Sequence, residues 1–286
     1  MASRSCLRVV GVEVEHSMDR EHNLALAAAA IRKSGKADIF LLPELSLCGY
    51  PVSTPSLEAL ASDAHGFFQG LAAEVDAAIC YGFVRRLESG YALSQAVVTE
   101  AGVLAVYDKI NLSGIERAAG FVAGTRPVVF KWRGSRIGLA ICYDLRLTEL
   151  WRDLRSLSVD VVLHACCFER DETFESWRPF VETRAIENQY YIMSVNYAGA
   201  RFGGSLKMDP WMGYLITKDN GSSLYGLGSH TLGPDDDSLL SMAVDTSFLD
   251  LLRTRYPYSD DAQRYLRART TADTFRQEEG EQLASQ

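Results

Sequence analysis

Three strand-length apolar runs in this chain each stop at a residue able to do chemistry. Ile39-Phe40-Leu41-Leu42-Pro43 ends at Glu44, Val103-Leu104-Ala105-Val106-Tyr107-Asp108 ends at Lys109, and Gly138-Leu139-Ala140-Ile141 ends at Cys142. Helix-length segments lie between such runs: 23–33, 56–75, 147–157 and 175–189 carry helical apolar patterns. Further strand candidates are 7–14, 77–83, 94–99, 161–165, 191–195, 211–217 and 239–244. A chain that alternates strands with helices buries its apolar faces best as an α/β sheet structure covered by helices.

No Pro/Gly-rich linker or internal repeat divides the 286 residues, and 47% hydrophobic content is ample for one large core. The expectation is one domain over residues 1–270 followed by a polar tail, 271–286, without apolar periodicity. A formal net charge of −8 argues against a nucleic-acid partner, which would require a basic stripe. The six cysteines are scattered and read as reduced thiols without metal-ligand spacing. The first residues run directly into a strand candidate, with no signal sequence or membrane-length apolar stretch, so a cytoplasmic address is expected.

A thiol, a carboxylate and an ammonium at separate strand ends suit attack on a carbonyl-like carbon. The obstacle is proton affinity. A free thiol titrates near about 8.5 and a Glu near about 4.3, so Glu44 taking the Cys142 proton faces a deficit of about 5 to 6 kcal/mol. Burial of Glu44 would close much of it, and the Lys109 ammonium would stabilise both the thiolate and the oxyanion formed on attack. The backbone N–H of Tyr143 offers a second oxyanion donor, and Glu44 would later activate water against the thioester. Taken singly, each residue has an ordinary explanation: an inert buried thiol, a turn carboxylate, a solvated lysine. Their joint occurrence is what points to a site.

These segments resemble the nitrilase superfamily of carbon-nitrogen hydrolases. Leu42-Pro43-Glu44-Leu45 with Gly49-Tyr50-Pro51 is similar to that family's Glu motif, Tyr107 to Leu112 to its Lys motif, and Gly138 to Arg146 to its Cys motif. Arg184 to Gln189, Gly204-Ser205 and Asp209-Pro210-Trp211 also match family patterns. The resemblance implies an α-β-β-α sandwich, subunits paired at least as homodimers, and no metal or organic cofactor. It also implies Glu44 as base, Lys109 as oxyanion stabiliser and Cys142 as nucleophile. Glu116, the only acidic residue between Lys109 and Cys142, is the candidate second active-site Glu. It stands one residue further from Phe121 than the family spacing has it, and pairing with Arg117 is its structural alternative. Tyr143-Asp144 resembles the amidase and carbamoylase branches, so a small linear amide is the expected substrate. An N-carbamoyl compound is the nearest enzymatic alternative, and a non-catalytic binding subunit is the alternative from another class. Leu147-Thr148-Glu149 and the Met212 inserted after Trp211 depart from family patterns and bear on pocket shape.

Tyr50, Tyr143, Phe168 and Trp177 are the candidates for substrate contact, against ordinary core packing. Arg146 is either a substrate-carboxylate ligand or the partner of a carboxylate such as Glu149. His164 reads as a hydrogen-bonded histidine at the core's edge, and Cys166 and Cys167 as core or site-wall residues.

Overall fold

The computed structural model of the chain describes residues 6–50, 57–211, 213, 215–217, 223–225, 229–231 and 239–268. The first half contains β1 (Leu7–Val12), α1 (Arg20–Lys33), β2 (Ile39–Leu41), α2 (Leu57–Leu60), α3 (His65–Val75), β3 (Ala78–Leu87), β4 (Gly90–Thr99), β5 (Gly102–Asp108) and α4 (Gly114–Ala118). The second contains β6 (Val129–Trp132), β7 (Ser135–Ile141), α5 (Thr148–Ser156), β8 (Val161–Ala165), α6 (Trp177–Asn188), β9 (Tyr191–Val195) and β10 (Leu206–Met208). The short strands β11 (Leu215–Thr217), β12 (Ser223–Tyr225) and β13 (Ser229–Thr231) follow, then β14 (Leu239–Val244) and α7 (Thr246–Arg255).

Two six-stranded sheets result, ordered β14-β1-β2-β3-β4-β5 and β13-β10-β9-β8-β7-β6, while β11 and β12 pair separately. At the heart of the first, β1, β2 and β3 run parallel. At the heart of the second, β7, β8 and β9 do the same. Parallel neighbours need a crossover, and helices supply it. Side chains alternate between faces along each strand. Val10, Val12, Phe40, Ile79 and Tyr81 pack against Leu24, Ala28 and Ile31 of α1 and Phe68 and Leu71 of α3. Their neighbours Val9, Ile39, Leu41, Ala78 and Cys80 face inward, into a cluster shared with the second sheet, α5, α6 and α7. The layers are therefore helix, sheet, sheet, helix, as the resemblance implied. Among the described residues no helix is long and apolar enough to cross a membrane.

Several boundaries differ from expectation for local reasons. The single helix read over 56–75 is broken, because Ala61 bridges to Val84 and Asp63 turns the chain by accepting the His65 N–H. Among the described residues of 211–217, Leu215–Thr217 form a strand, while the Asp209 carboxylate holds the N–H groups of Trp211 and Gly213 in a turn. The β6–β7 hairpin was not anticipated: β6 is only four residues long and carries Lys131 in its middle. Pro51, Met212 and the tail 271–286 lie outside the described residues.

Because β3–β4 and β4–β5 are antiparallel, β5 runs in the same direction as β2 and β3. Ligand sites in parallel α/β sheets lie beyond the carboxyl ends of the strands. The ends of β2, β5 and β7 are where Glu44, Lys109 and Cys142 emerge. Two glycines let the connecting loops close over these ends. A Cβ on Gly82 would lie 2.3 Å from the Leu45 backbone nitrogen, and one on Gly124 would lie 2.0 Å from the Asp108 carbonyl oxygen. Gly124 N–H donates to the Lys109 carbonyl at 2.8 Å, so the lysine's backbone is gripped from that loop. Gly82→Ala should therefore lower the urea midpoint, with a loss of about 1–3 kcal/mol, because the methyl would meet the backbone of the Glu44 turn, which cannot swing aside like a side chain.

Candidate active site

Each group arrives on a fixed support. The Glu44 turn, which follows β2 of the first sheet, is tied to the second: Glu44 N–H donates to Cys166 O at 3.2 Å, and the Tyr197 hydroxyl donates to Glu44 O at 2.8 Å. Lys109 N–H donates to Leu93 O at 2.8 Å, which extends the β4–β5 ladder by one residue and aims the side chain inward. Cys142 opens a short 3₁₀ turn, Cys142–Arg146, with φ of 40°, in the left-handed region that non-glycine residues seldom occupy. Such strain persists only where surroundings enforce it. Here Asp144 does so. Its buried carboxylate accepts from the Ile141 N–H at 2.9 Å, the Tyr107 hydroxyl at 2.7 Å, and the Asn111 backbone and side-chain N–H groups at 2.9 and 3.0 Å. One carboxylate thus binds the thiol-bearing turn to the segment that carries Lys109.

The Lys109 side chain is fully buried, yet its ammonium lies 2.8 Å from Glu44 Oε1 and 2.6 Å from Glu116 Oε1. Glu116 is held from α4 by a capping box with Ser113, whose N–H donates to Glu116 Oε2 at 2.7 Å. The Tyr50 hydroxyl adds a 3.0 Å bond to Glu116 Oε1, and the Tyr50 N–H donates to His16 Nε2 at 3.0 Å. Arg117, the alternative partner of Glu116, instead donates to the Leu112 carbonyl. The four residues Glu44, Lys109, Glu116 and Tyr50 thus form one contiguous network, in which Glu44 and Tyr50 meet Lys109 and Glu116 across separations of 65 and 66 positions.

Burial pushes the Glu44 carboxyl up to about 7, against the pull of Lys109 and with the Glu116 charge adding to the rise. Burial opposes the Lys109 charge, but Glu44, Cys142 and Glu116 outweigh it and hold the ammonium well above its ordinary value. The Cys142 thiol is pushed well up by burial and by Glu44, with Lys109 opposing. At neutral pH the site therefore rests as a thiol beside a carboxyl poised to titrate and a permanent cation. Glu44 Oε2 makes no geometric hydrogen bond among the described residues, with the Cys142 thiol alongside close enough to ease its charge.

Phe168 and Trp177 stack at 5.2 Å between ring centroids, and the Trp177 indole N–H donates to Ser194 rather than to Glu44, Lys109 or Cys142. Tyr143 is partly exposed, next to Cys142. Arg146 lies over the Phe168 and Phe180 rings and donates to Ser176 Oγ at 2.8 Å, so its hydrogen bond goes neither to Glu149 nor to an open pocket. Among the described residues no group of three or more His, Cys, Asp or Glu is placed to hold a metal. Sequence reasoning missed Asp144 and His16 as supports. An Asp three residues past the apolar strand end at Ile141 was the available signal for the first; nothing local marked the second.

A family model described as carbon-nitrogen hydrolase matches residues 6–234. The chain belongs to the carbon-nitrogen hydrolase family. Among relatives of this hydrolase is an (R)-stereoselective amidase from a Pseudomonas species, 33% identical over 204 residues that cover 68% of this chain and 73% of the relative. The fold is shared with a CN-hydrolase superfamily protein of Xanthomonas campestris that carries an arsenic adduct in its active site. The TM-score is 0.75 at 22% identity, covering 90% of this chain and 97% of the other. It is also shared with a cysteine-to-alanine variant of an amidase from Nesterenkonia sp. AN1 in complex with butyramide, with TM-score 0.64 and 26% identity, covering 86% and 94% of the two chains.

The buried ion cluster makes a direct stability prediction. Lys109→Met should destabilise this hydrolase by about 3–5 kcal/mol at pH 8 in urea titration, because it strands the Glu44 carboxylate in a dry site. The loss should shrink at pH 5, below the range in which Glu44 takes up a proton.

Proposed function

We propose that the protein hydrolyses small linear amides, releasing ammonia through a thioester on Cys142. The observation that carries this reading is the carboxyl of Glu44, raised to about 7 and lying against both the Lys109 ammonium and the Cys142 thiol. Lifting Glu44 this far strengthens the base while burial also lifts the thiol, so transfer is carried by the attack itself, which consumes the thiolate as it forms beside the Lys109 cation. In this mechanism Cys142 Sγ bonds to the amide carbon while its proton passes to Glu44 Oε2. The carbonyl electrons collect on oxygen, met by the Lys109 ammonium and the Tyr143 N–H. Collapse expels the amine, which takes the proton from Glu44 and leaves as ammonia. Water then gives a proton to Glu44 and attacks the thioester, and the acid departs as the sulfur recovers that proton. Glu116 holds Lys109 in place and, with Tyr50, borders the substrate; Tyr143, Phe168 and Trp177 shape the remaining wall. The amidase named for the Pseudomonas relative and the butyramide bound by the Nesterenkonia amidase support an amide as substrate.

The test is ammonia release by the purified protein from a panel of short amides, dicarboxylic monoamides, N-carbamoyl amino acids and aliphatic nitriles. Amides should respond, and Cys142→Ala should abolish release while leaving the circular dichroism spectrum unchanged. Response confined to N-carbamoyl compounds would move the reading to ureido hydrolysis, and silence across the panel would favour a non-catalytic subunit. The pH profile is a separate check. Because the ionised form of Glu44 is the base, kcat/KM should climb as pH rises through about 7 and then level off, since the Lys109 cation persists well above that point.

A further inference from the structure

His164 is buried on β8 and has no place in the steps above, yet it contacts the residue that carries the nucleophile. Its Nε2 lies 3.1 Å from the Cys142 carbonyl oxygen, and its Nδ1 lies 2.8 Å from Ser194 Oγ. Ser194 Oγ in turn lies 3.0 Å from the Trp177 indole nitrogen. The proton positions follow from what each group can do. A carbonyl oxygen only accepts, so Nε2 must carry a hydrogen. Nδ1 of the neutral ring is then an acceptor, which the Ser194 hydroxyl satisfies by donating, with the Cys166 thiol at 3.3 Å as a weaker second donor to the same nitrogen. An indole N–H only donates, so Ser194 oxygen accepts from Trp177. Donation thus runs one way, from α6 through β9 and β8 to the backbone of the thiol-bearing turn. Burial holds the imidazole's pKa down at about 4, which keeps it neutral with this single tautomer over the working range.

The Cys142 carbonyl and the Tyr143 N–H belong to one peptide unit, which is planar and, as no cis peptide occurs among the described residues, trans. In a trans peptide the two bonds point in opposite directions. His164 stands on the helix side of its sheet, edge-on to Trp151 of α5 with ring centroids 5.7 Å apart. Drawing the carbonyl toward that side turns the Tyr143 N–H the other way, toward the gap that holds Glu44 and Lys109. We propose that His164, kept in its tautomer by Ser194 and Trp177, is a positioning residue that aims the Tyr143 N–H as an oxyanion donor. This rests on the amide-hydrolysis reading and deepens it. The left-handed φ of Cys142 gives this second bond to its carbonyl a purpose beyond the 3₁₀ turn's own, because such strain persists only where the surroundings enforce it.

The test separates oxyanion stabilisation from nucleophile placement. Hydrolysis of an amide passes through an oxyanion, whereas alkylation of Cys142 by a small haloacetamide is a displacement at saturated carbon and forms none. His164→Leu should lower kcat for the responsive amide by about tenfold to a hundredfold with KM little changed. The rate of Cys142 alkylation should stay within about twofold of the unaltered protein. His164→Gln, whose amide N–H can replace the Nε2 donor, should restore most of kcat. Should His164→Leu fail to fold, Ser194→Ala, which removes the stronger donor to Nδ1 and leaves the Cys166 thiol, should show the same split at smaller size. Unchanged kcat, or alkylation falling in step with kcat, would overturn the proposal while leaving the amidase reading intact. An unaltered protein that releases no ammonia from any amide would instead overturn both.

Discussion

A lysine ammonium without access to water lies where the two sheets meet, and the local architecture is arranged to keep it charged. Removing such an ion from water costs several kcal/mol unless opposite charge and hydrogen bonds replace the solvent. Lys109 obtains that replacement from Glu44 on the β2 turn and Glu116 on α4. Neither carboxylate could stay at its station alone, so the turn after β2, the end of β5 and the short helix α4 depend on one another. Gly82 and Gly124 are the places where backbone presses on backbone to let the loops come this close.

The same dryness sets the chemistry. Two carboxylates facing one ammonium leave a net negative cluster, and in a medium of low polarisability that excess favours protonation of one of them. Glu44 bears this, with its carboxyl raised to about 7. A carboxyl left in water would be too weak a base for a thiol; one lifted this far can take and return a proton near neutrality. Asp144 is buried too, and burial raises its carboxyl, but four hydrogen bonds occupy its oxygens. It therefore acts as a brace between Tyr107, Asn111 and Ile141. Two buried acids within one site thus serve different ends according to what surrounds their oxygens.

The helix-covered α/β character was legible because apolar periodicity reports which face of an element is buried, and strands here alternate with helices at lengths that demand crossovers; the two-sheet layering was implied only by the family resemblance of the motifs. The strand-end positions of Glu44, Lys109 and Cys142 were legible for the same reason: a charged or nucleophilic residue terminating an apolar run lies at a sheet rim. Less visible were short elements such as β6, in which four residues carry too little periodicity to register. The helix read over 56–75 failed because a tertiary bridge from Ala61 to Val84 outweighed helical propensity.

The sequence by itself determined that this is a helix-covered α/β protein with a thiol, an acid and a cation at separate strand ends, since composition and periodicity are properties of neighbouring residues. Only the tertiary structure decided that Glu116 faces Lys109 rather than Arg117, that Glu44 is raised to about 7, and that His164 reaches the Cys142 carbonyl. Those facts depend on through-space distance and on the exclusion of water, and both are settled by packing between segments up to more than a hundred residues apart, as when Tyr197 bonds Glu44 with a separation of 153.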